Sequence, residues 1–245
     1  MASGNYLDIS KEKLEEQMLL LFEAGIEHDW KNYITGIRAY SQILEMGQNL
    51  SKDQQDFIRK IIEAVDNLGK GMEEKLEFSK AYSGRLLINK KNNNLYNIIF
   101  ETTVRFWDLA EREGKKIRID GIDLKGFELQ NRDAVVSVDY NLFGKVMNNL
   151  INNGLKYARE IDINIIREKD GYIITVGDNG EGMDAADLAG IFTLGYRSKN
   201  RKPGSTGIGL PYSRLVIEAH GGRIWGESEI GKGTTFHIFL LANGI

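Results

Sequence analysis

Residues 149–157 read Asn149-Leu-Ile-Asn-Asn153-Gly-Leu-Lys156-Tyr157. They lie in an apolar-periodic run over about Asn141–Ala158, which predicts a helix with Asn149, Asn153 and Lys156 at i, i+4 and i+7 on one face. Two amide oxygens and a cation on one face suit a Mg2+–polyphosphate ligand, because Mg2+ combines oxygen donors with substrate phosphates. The same spacing also suits a solvated polar face. Around this helix, Ile161–Arg167, Tyr172–Asp178, Gly222–Glu229 and Thr234–Leu241 carry the alternating, β-branched pattern of strands. A further helix is expected over Leu95–Glu113, with strand-like alternation between the two helices. Elements mixed in this way predict an α+β chain whose C-terminal part is an α/β sandwich, a mixed sheet covered by helices on one face.

Two glycine-containing segments follow the helix. Asp178-Asn-Gly180-Glu-Gly182-Met183 stands directly after a predicted strand. A carboxylate at a strand end can accept a hydrogen bond from an exocyclic amine, and the glycines let backbone approach a flat ring. The pairs also suit a hairpin turn, but Met183-Asp-Ala-Ala-Asp-Leu reads as a helix rather than a returning strand. Pro203-Gly204-Ser-Thr206-Gly207-Ile208-Gly209-Leu210 opens another helix near Pro211, where glycine-rich backbone offers N–H groups to phosphate oxygens. It lacks the Gly-Lys-Ser/Thr ending of a Walker A loop and does not follow a strand. Between the two segments, Tyr196-Arg197-Ser-Lys199-Asn-Arg201-Lys202 is basic, as suits a lid over a nucleotide triphosphate.

The first third of the chain is nearly free of helix breakers: the two prolines are Pro203 and Pro211, and most of the 27 glycines lie beyond residue 110. Ile26, Trp30, Tyr33, Ile37, Tyr40 and Leu44 recur at the a/d spacing of a bundle seam. A polar break over Gly47–Asp53 follows, with Ser51 expected as an N-cap. Ile58, Ile61, Val65, Leu68 and Met72 then repeat the pattern. This predicts an antiparallel helical hairpin that completes a four-helix bundle in a homodimer, the other reading being a hairpin packed on its own second domain. The expected division is a hairpin over 1–84, a linker over 85–94 and a second domain over 95–245.

In this order, the segments around Asn149, Asp178, Tyr196 and Gly207 resemble the N, G1, F and G2 boxes of the ATP-binding domain of sensor histidine kinases, within the family that includes gyrase-type and chaperone ATPases. Gly221–Phe236 resembles that domain's closing strands. The resemblance implies ATP and Mg2+ as ligands. It assigns Asp178 to the adenine amino group and Asn153 to the metal. Asn149, Lys156 and Arg197 would meet the phosphates, Tyr157 and Tyr196 would line the nucleoside, and Gly180, Gly182, Met183, Lys199, Thr206, Gly207, Ile208, Gly209 and Leu210 would complete the pocket. The usual first glycine of the G2 box falls on Ser205, with Gly204 one position early. Where the gyrase-like branch carries a water-activating Glu, this chain has Asn149, and an amide cannot act as a general base. ATP is therefore expected to be held without rapid hydrolysis, which disfavours a gyrase-like ATPase.

Glu27-His28-Asp29-Trp-Lys-Asn32 resembles the phosphoacceptor box of the same kinases. His28 lies two residues past Ile26, a rotation of about 200° that turns it away from the seam. The resemblance implies that His28 accepts the γ-phosphoryl group, Asp29 orients its ring and Asn32 positions water against a phosphorylated partner. Tyr33 stands where the family often has Pro after that Asn. The implied function is a histidine kinase core that autophosphorylates His28 and passes the phosphoryl group to an Asp of a response-regulator receiver domain, with dephosphorylation of that partner as a second activity. The alternative is a non-catalytic dimeric phosphotransfer or scaffold module that keeps the fold. His220 and His237 are expected to be structural.

Composition agrees with a globular chain of 245 residues, 42% hydrophobic and 27% charged. A net charge of −3 gives no general attraction to nucleic acid or anionic lipid. The chain has no Cys, which excludes disulfides, thiolate catalysis and Cys-ligated zinc. Apolar runs reach only Met18–Phe22, far short of the roughly 20 residues of a membrane span. With no basic n-region ahead of an apolar stretch, a cytosolic chain, or the cytosolic part of a longer sensor, is expected, making no membrane contact of its own.

Overall fold

A computed structural model of the chain describes residues 30–47, 50–194, 196 and 207–242. It divides into two compact units, with the boundary between Ser79 and Lys80.

The first unit holds helix α1, described over 30–45, and most of helix α2, Lys52–Tyr82. Ser51 caps α2 as expected, in a reciprocal box. Its Oγ accepts from Gln54 N at 3.2 Å, while its own N–H donates to Gln54 Oε1 at 2.8 Å. The helices run antiparallel. Arg38 pairs with Asp66 at 3.4 Å and Arg59 with Glu45 at 3.9 Å, and Ile34 sits over Gly69, where a Cβ would lie 3.5 Å from its Cγ2. Ile58 and Val65 are buried, with Ser41. The periodic stripe of α1 is not the inner face of this hairpin: Trp30, Tyr33, Ile37, Tyr40 and Leu44 are all exposed in the single chain, as are Phe57, Ile61 and Leu68 of α2.

The second unit is built on a six-stranded mixed sheet. Strands β1 (Lys91–Asn94), β2 (Lys116–Ile119), β3 (Ile122–Asp123), β4 (Val135–Val138), β5 (Glu160–Arg167), β6 (Gly171–Asp178), β7 (Arg223–Glu229) and β8 (Gly233–Leu241) alternate with helices α3 (Leu95–Val104), α4 (Trp107–Arg112), α5 (Tyr140–Tyr157), α6 (Ala185–Gly190) and α7 (Gly209–Ala219). The main sheet has the order β3-β2-β5-β6-β8-β7, in which only β2 and β5 run parallel. That pair demands a long crossover, and α5 lies inside it. α5 packs against α3, α7 and strands β5 and β6. Its buried stripe of Phe143, Val146, Met147, Leu150 and Ile151 meets a sheet face built on Ile161, Ile163, Ile174 and Ile238.

Two elements differ from expectation. The predicted helix over Leu95–Glu113 breaks into α3 and α4. At the break, the hydroxyls of Thr102 and Thr103 donate to the carbonyls of Ile98 and Ile99 at 2.7 and 2.6 Å, a back-bonding that bends helices. Phe106 N then turns to Thr103 O at 2.9 Å. Within the expected linker, Lys91–Asn94 forms β1, paired antiparallel with β4 in a separate two-stranded sheet.

Candidate functional site

α5, the end of β6 and the start of α7 carry the residues singled out by the sequence. The apolar stripe of α5 faces the sheet and leaves Asn149, Asn153 and Lys156 half-buried beside it. The Lys156 ammonium lies 5.9 Å from the centre of the Tyr157 ring. Gly154 sets the depth of the helix, since a Cβ there would stand 2.9 Å from Ile161 Cδ1 and 3.7 Å from Asp178 Cβ. The absence of that methyl lets α5 settle onto the strand end that bears Asp178.

Asp178 is half-buried. Burial pushes its carboxyl above the usual carboxylate range, and the N–H groups of Gly180 and Thr234 offset part of that rise. Gly180 N donates to its Oδ1 at 2.8 Å. Close backbone packing holds this turn. A Cβ on Gly180 would lie 2.9 Å from Tyr157 O, and one on Gly182, whose φ is +69°, would lie 2.0 Å from Glu229 O. Asn179 accepts the N–H groups of Arg159 and Glu160 at 3.1 and 3.0 Å, tying the turn to the start of β5. Met183 N donates to Ser228 Oγ at 2.8 Å, and that hydroxyl also reaches Gly233 O at 2.9 Å.

Asp184 then caps α6 by accepting Asp187 N at 2.7 Å. Tyr196, expected at the nucleoside, is held on this helix. Its hydroxyl donates to Asp187 Oδ1 at 2.8 Å, and its ring covers Gly190 so closely that a Cβ there would lie 2.4 Å away. Gly207, with φ +73°, precedes α7, whose N-cap Ile208 offers no side-chain capping bond. Gly209 and Leu210 form its first turn with Pro211. Asn149 Nδ2 donates to Ser213 Oγ at 3.0 Å, and a Cβ on Gly209 would stand 2.2 Å from Asn149 Oδ1. The structure thus joins Asn149 to the glycine-rich start of α7. His28, Asp29, Arg197, Lys199 and Thr206 lie outside the described residues; Asn32 is exposed on α1.

The sequence did not single out Gly154, Asn179, Ser213 or Ser228. Gly154 stands inside the decisive helix, where a glycine in a strongly amphipathic stretch is itself a packing signal. The other three act through partners distant in the chain. His220 is structural: Nδ1 faces Val216 O at 2.7 Å and Nε2 accepts Asp139 N at 2.9 Å.

The site combines a half-buried acceptor, tightly packed glycine turns, amide oxygens, a lysine and a helix N-terminus without a side-chain cap. Among the described residues no three His, Asp or Glu side chains cluster to enclose a metal ion.

Residues 138–243 match the family model of the histidine kinase-, DNA gyrase B- and HSP90-like ATPases, and residues 18–84 match that of the His kinase A phosphoacceptor domain. The chain belongs to the two-component sensor histidine kinases. It is 28% identical over 249 residues to the sensor histidine kinase WalK of Bacillus subtilis, covering 95% of this chain and 38% of that protein. It is also 28% identical over 246 residues to the sensor protein GacS of Pseudomonas syringae, covering 96% of this chain and 26% of that one. The chain thus spans well under half the length of these relatives. Full-length ShkA, solved in complex with AMPPNP, shares the fold with a TM-score of 0.76 at 17% identity, over 91% of this chain and 46% of that one. No helix among the described residues is long and apolar enough to cross a membrane.

Proposed function

We propose that this chain is the catalytic core of a sensor histidine kinase, which binds Mg2+-ATP on its second unit and phosphorylates His28 on its first. The observation that carries the nucleotide reading is the half-buried Asp178 carboxyl at the end of β6, backed by Gly180 and flanked by the polar edge of α5. Asp178 accepts the adenine amino group, and Gly180, Gly182 and Met183 line the base beside Tyr157. Asn153 contributes an oxygen to Mg2+, while Asn149, Lys156 and Arg197 face the phosphates. Lys199, Thr206 and the start of α7 at Gly207, Ile208, Gly209 and Leu210 close over them, where helix N–H groups favour anions. Bound Mg2+ neutralises phosphate charge during transfer.

The transfer itself needs little from the protein beyond alignment. A neutral imidazole nitrogen of His28 forms the new N–P bond in line as the bond to ADP breaks, and Asp29 orients the ring and receives its other proton. Asn149 supplies no general base to activate water, so the bound ATP survives for His28. A receiver-domain Asp is the onward acceptor, and Asn32 assists its dephosphorylation. The exposed stripe from Trp30 to Leu44 supports a homodimer closing into a four-helix bundle, and the kinase core works in the cytosol.

Incubation with γ-labelled ATP and Mg2+ tests this. Acid-labile, base-stable label on the intact chain, absent from His28→Ala while nucleotide affinity is kept, is the expected result. Label that persists in His28→Ala refutes the acceptor, and no label on either protein despite tight ATP binding refutes the kinase reading.

A further inference from the structure

The turn over residues 181–183 is seated on the hairpin that joins β7 to β8 through residues 230–232. The hairpin holds its backbone at three points. Gly231 N donates to Glu181 O at 2.7 Å. Gly182 packs against Glu229 O, which a Cβ there would meet at 2.0 Å. Met183 N donates to Ser228 Oγ at 2.8 Å. Of these three ties, the last alone runs through a side chain.

Ser228 is half-buried and stands opposite Thr234 in the register of β7 and β8. Its hydroxyl has two further neighbours, Gly233 O and Thr234 Oγ1, each at 2.9 Å. A hydroxyl offers one proton and two lone pairs. The Gly233 carbonyl can only accept, so the proton goes there. The lone pairs then take the Met183 N–H and the Thr234 hydroxyl proton, and no bonding capacity is left over. The residues at the other end of this network are fixed to Asp178. Thr234 lies opposite it in the register of β6 and β8 and gives it a backbone N–H, while a Cβ on Gly233 would fall 1.9 Å from Asp178 O. Met183 is thereby registered, through one hydroxyl, against the strand that backs Asp178.

We propose that Ser228 is a positioning residue of the nucleotide site: its hydroxyl sets Met183, on the turn that lines the base, at a fixed place relative to Asp178, so that adenine enters a slot already formed. The inference rests on the nucleotide-binding reading above and goes beyond it. Ser228 acts through Met183, not on the ligand. Without the hydroxyl, Met183 N–H, Gly233 O and the Thr234 hydroxyl all lose a partner, and binding must then order the turn as well as fill it.

The test is the ATP dependence of self-labelling by the full chain with γ-labelled ATP and Mg2+. Ser228→Ala should raise the KM for ATP about fivefold, the worth of one neutral hydrogen bond. It should leave kcat within about twofold, because a contact on the base side is held equally before and during transfer. A merely structural role gives the opposite split, since loss of folded protein lowers the apparent kcat and leaves KM where it was. Ser228→Thr keeps the hydroxyl and should stay within about twofold of wild type in KM. Ser228→Cys, close in size and a weaker acceptor, should raise KM in the same direction and serves if Ser228→Ala does not fold. An unchanged KM, a lowered kcat alone, or a Ser228→Thr chain as impaired as Ser228→Ala overturns the proposal. If the wild-type chain takes no label, the kinase reading fails, and calorimetry with AMPPNP should still show the same fivefold loss for Ser228→Ala; equal affinities there overturn the proposal. Failure of the wild-type chain to bind AMPPNP overturns the nucleotide reading first, and this inference with it.

Discussion

Burial and the proposed adenine contact pull on Asp178 in opposite directions. The desolvated carboxyl favours its protonated form, so its level is raised despite the N–H groups of Gly180 and Thr234. Folding is therefore eased as pH falls through this raised value, whereas an adenine amine needs the ionised acceptor. Nucleotide affinity should weaken over the same acidic window in which the Asp178 contribution to stability improves. Asp178→Ala should lower nucleotide affinity by about 1.5–3 kcal/mol, the range for a hydrogen bond to a charged group, and should flatten the acid limb of the affinity profile. Calorimetry across pH checks both, and an unchanged affinity removes Asp178 from the site. The strand-end position of Asp178 was legible in the sequence, because an alternating β-branched run ends on it just before Gly180 and Gly182. Ser213 was not, because an isolated serine on a helix carries no local sign of the asparagine it will meet 64 positions away in the chain.

At the scale of elements, the helices bordering the site are locked at their far ends. Asp139 caps α5, accepting Asn141 N and Leu142 N at 3.0 Å each, and its own N–H donates to His220 at the end of α7. Burial opposes ionisation of Asp139, but the backbone N–H groups of Leu142, Asn89 and Asn141 outweigh it and hold the carboxyl below its usual range. His220 is held below its ordinary value, first by burial, and its Nε2 lone pair is committed to Asp139 N. A depressed histidine contributes stability above its unfolded value of about 6.5, and that contribution is lost as pH falls through the folded value. The melting temperature of the chain should drop between pH 7.5 and 5.5 more steeply than that of His220→Gln, which can keep an acceptor but cannot titrate; equal slopes would exclude this joint. Amphipathic α5 and the isoleucine-rich strands were readable because their periodicity is intrinsic. The polar strand Lys91–Asn94 was not, since its pairing is imposed by β4, and the end of α3 was hidden because Thr102 and Thr103 break it through hydroxyl contacts rather than through Gly or Pro.

For the whole molecule, the decisive feature of the first unit is what it leaves uncovered. The a/d residues of α1 were correctly seen as periodic, yet the hairpin does not bury them, so a second copy of the chain is the partner that the proposed bundle supplies. Tyr33→Glu with Tyr40→Glu should convert a dimer to a monomer in sedimentation analysis and leave nucleotide affinity unchanged; a dimer that survives both would discard this stripe as its interface. In the second unit, β8 is the last strand among the described residues but pairs with both β6 and β7 inside the sheet, and Gly233 at its start packs so tightly that a Cβ would fall 1.9 Å from Asp178 O. During synthesis, which proceeds from the N-terminus, the first unit and the proposed acceptor His28 leave the ribosome well before β8 does. Until that strand threads between its neighbours, Asp178 has no buttress, so on the proposed reading a nascent chain displays the acceptor before its nucleotide site is complete.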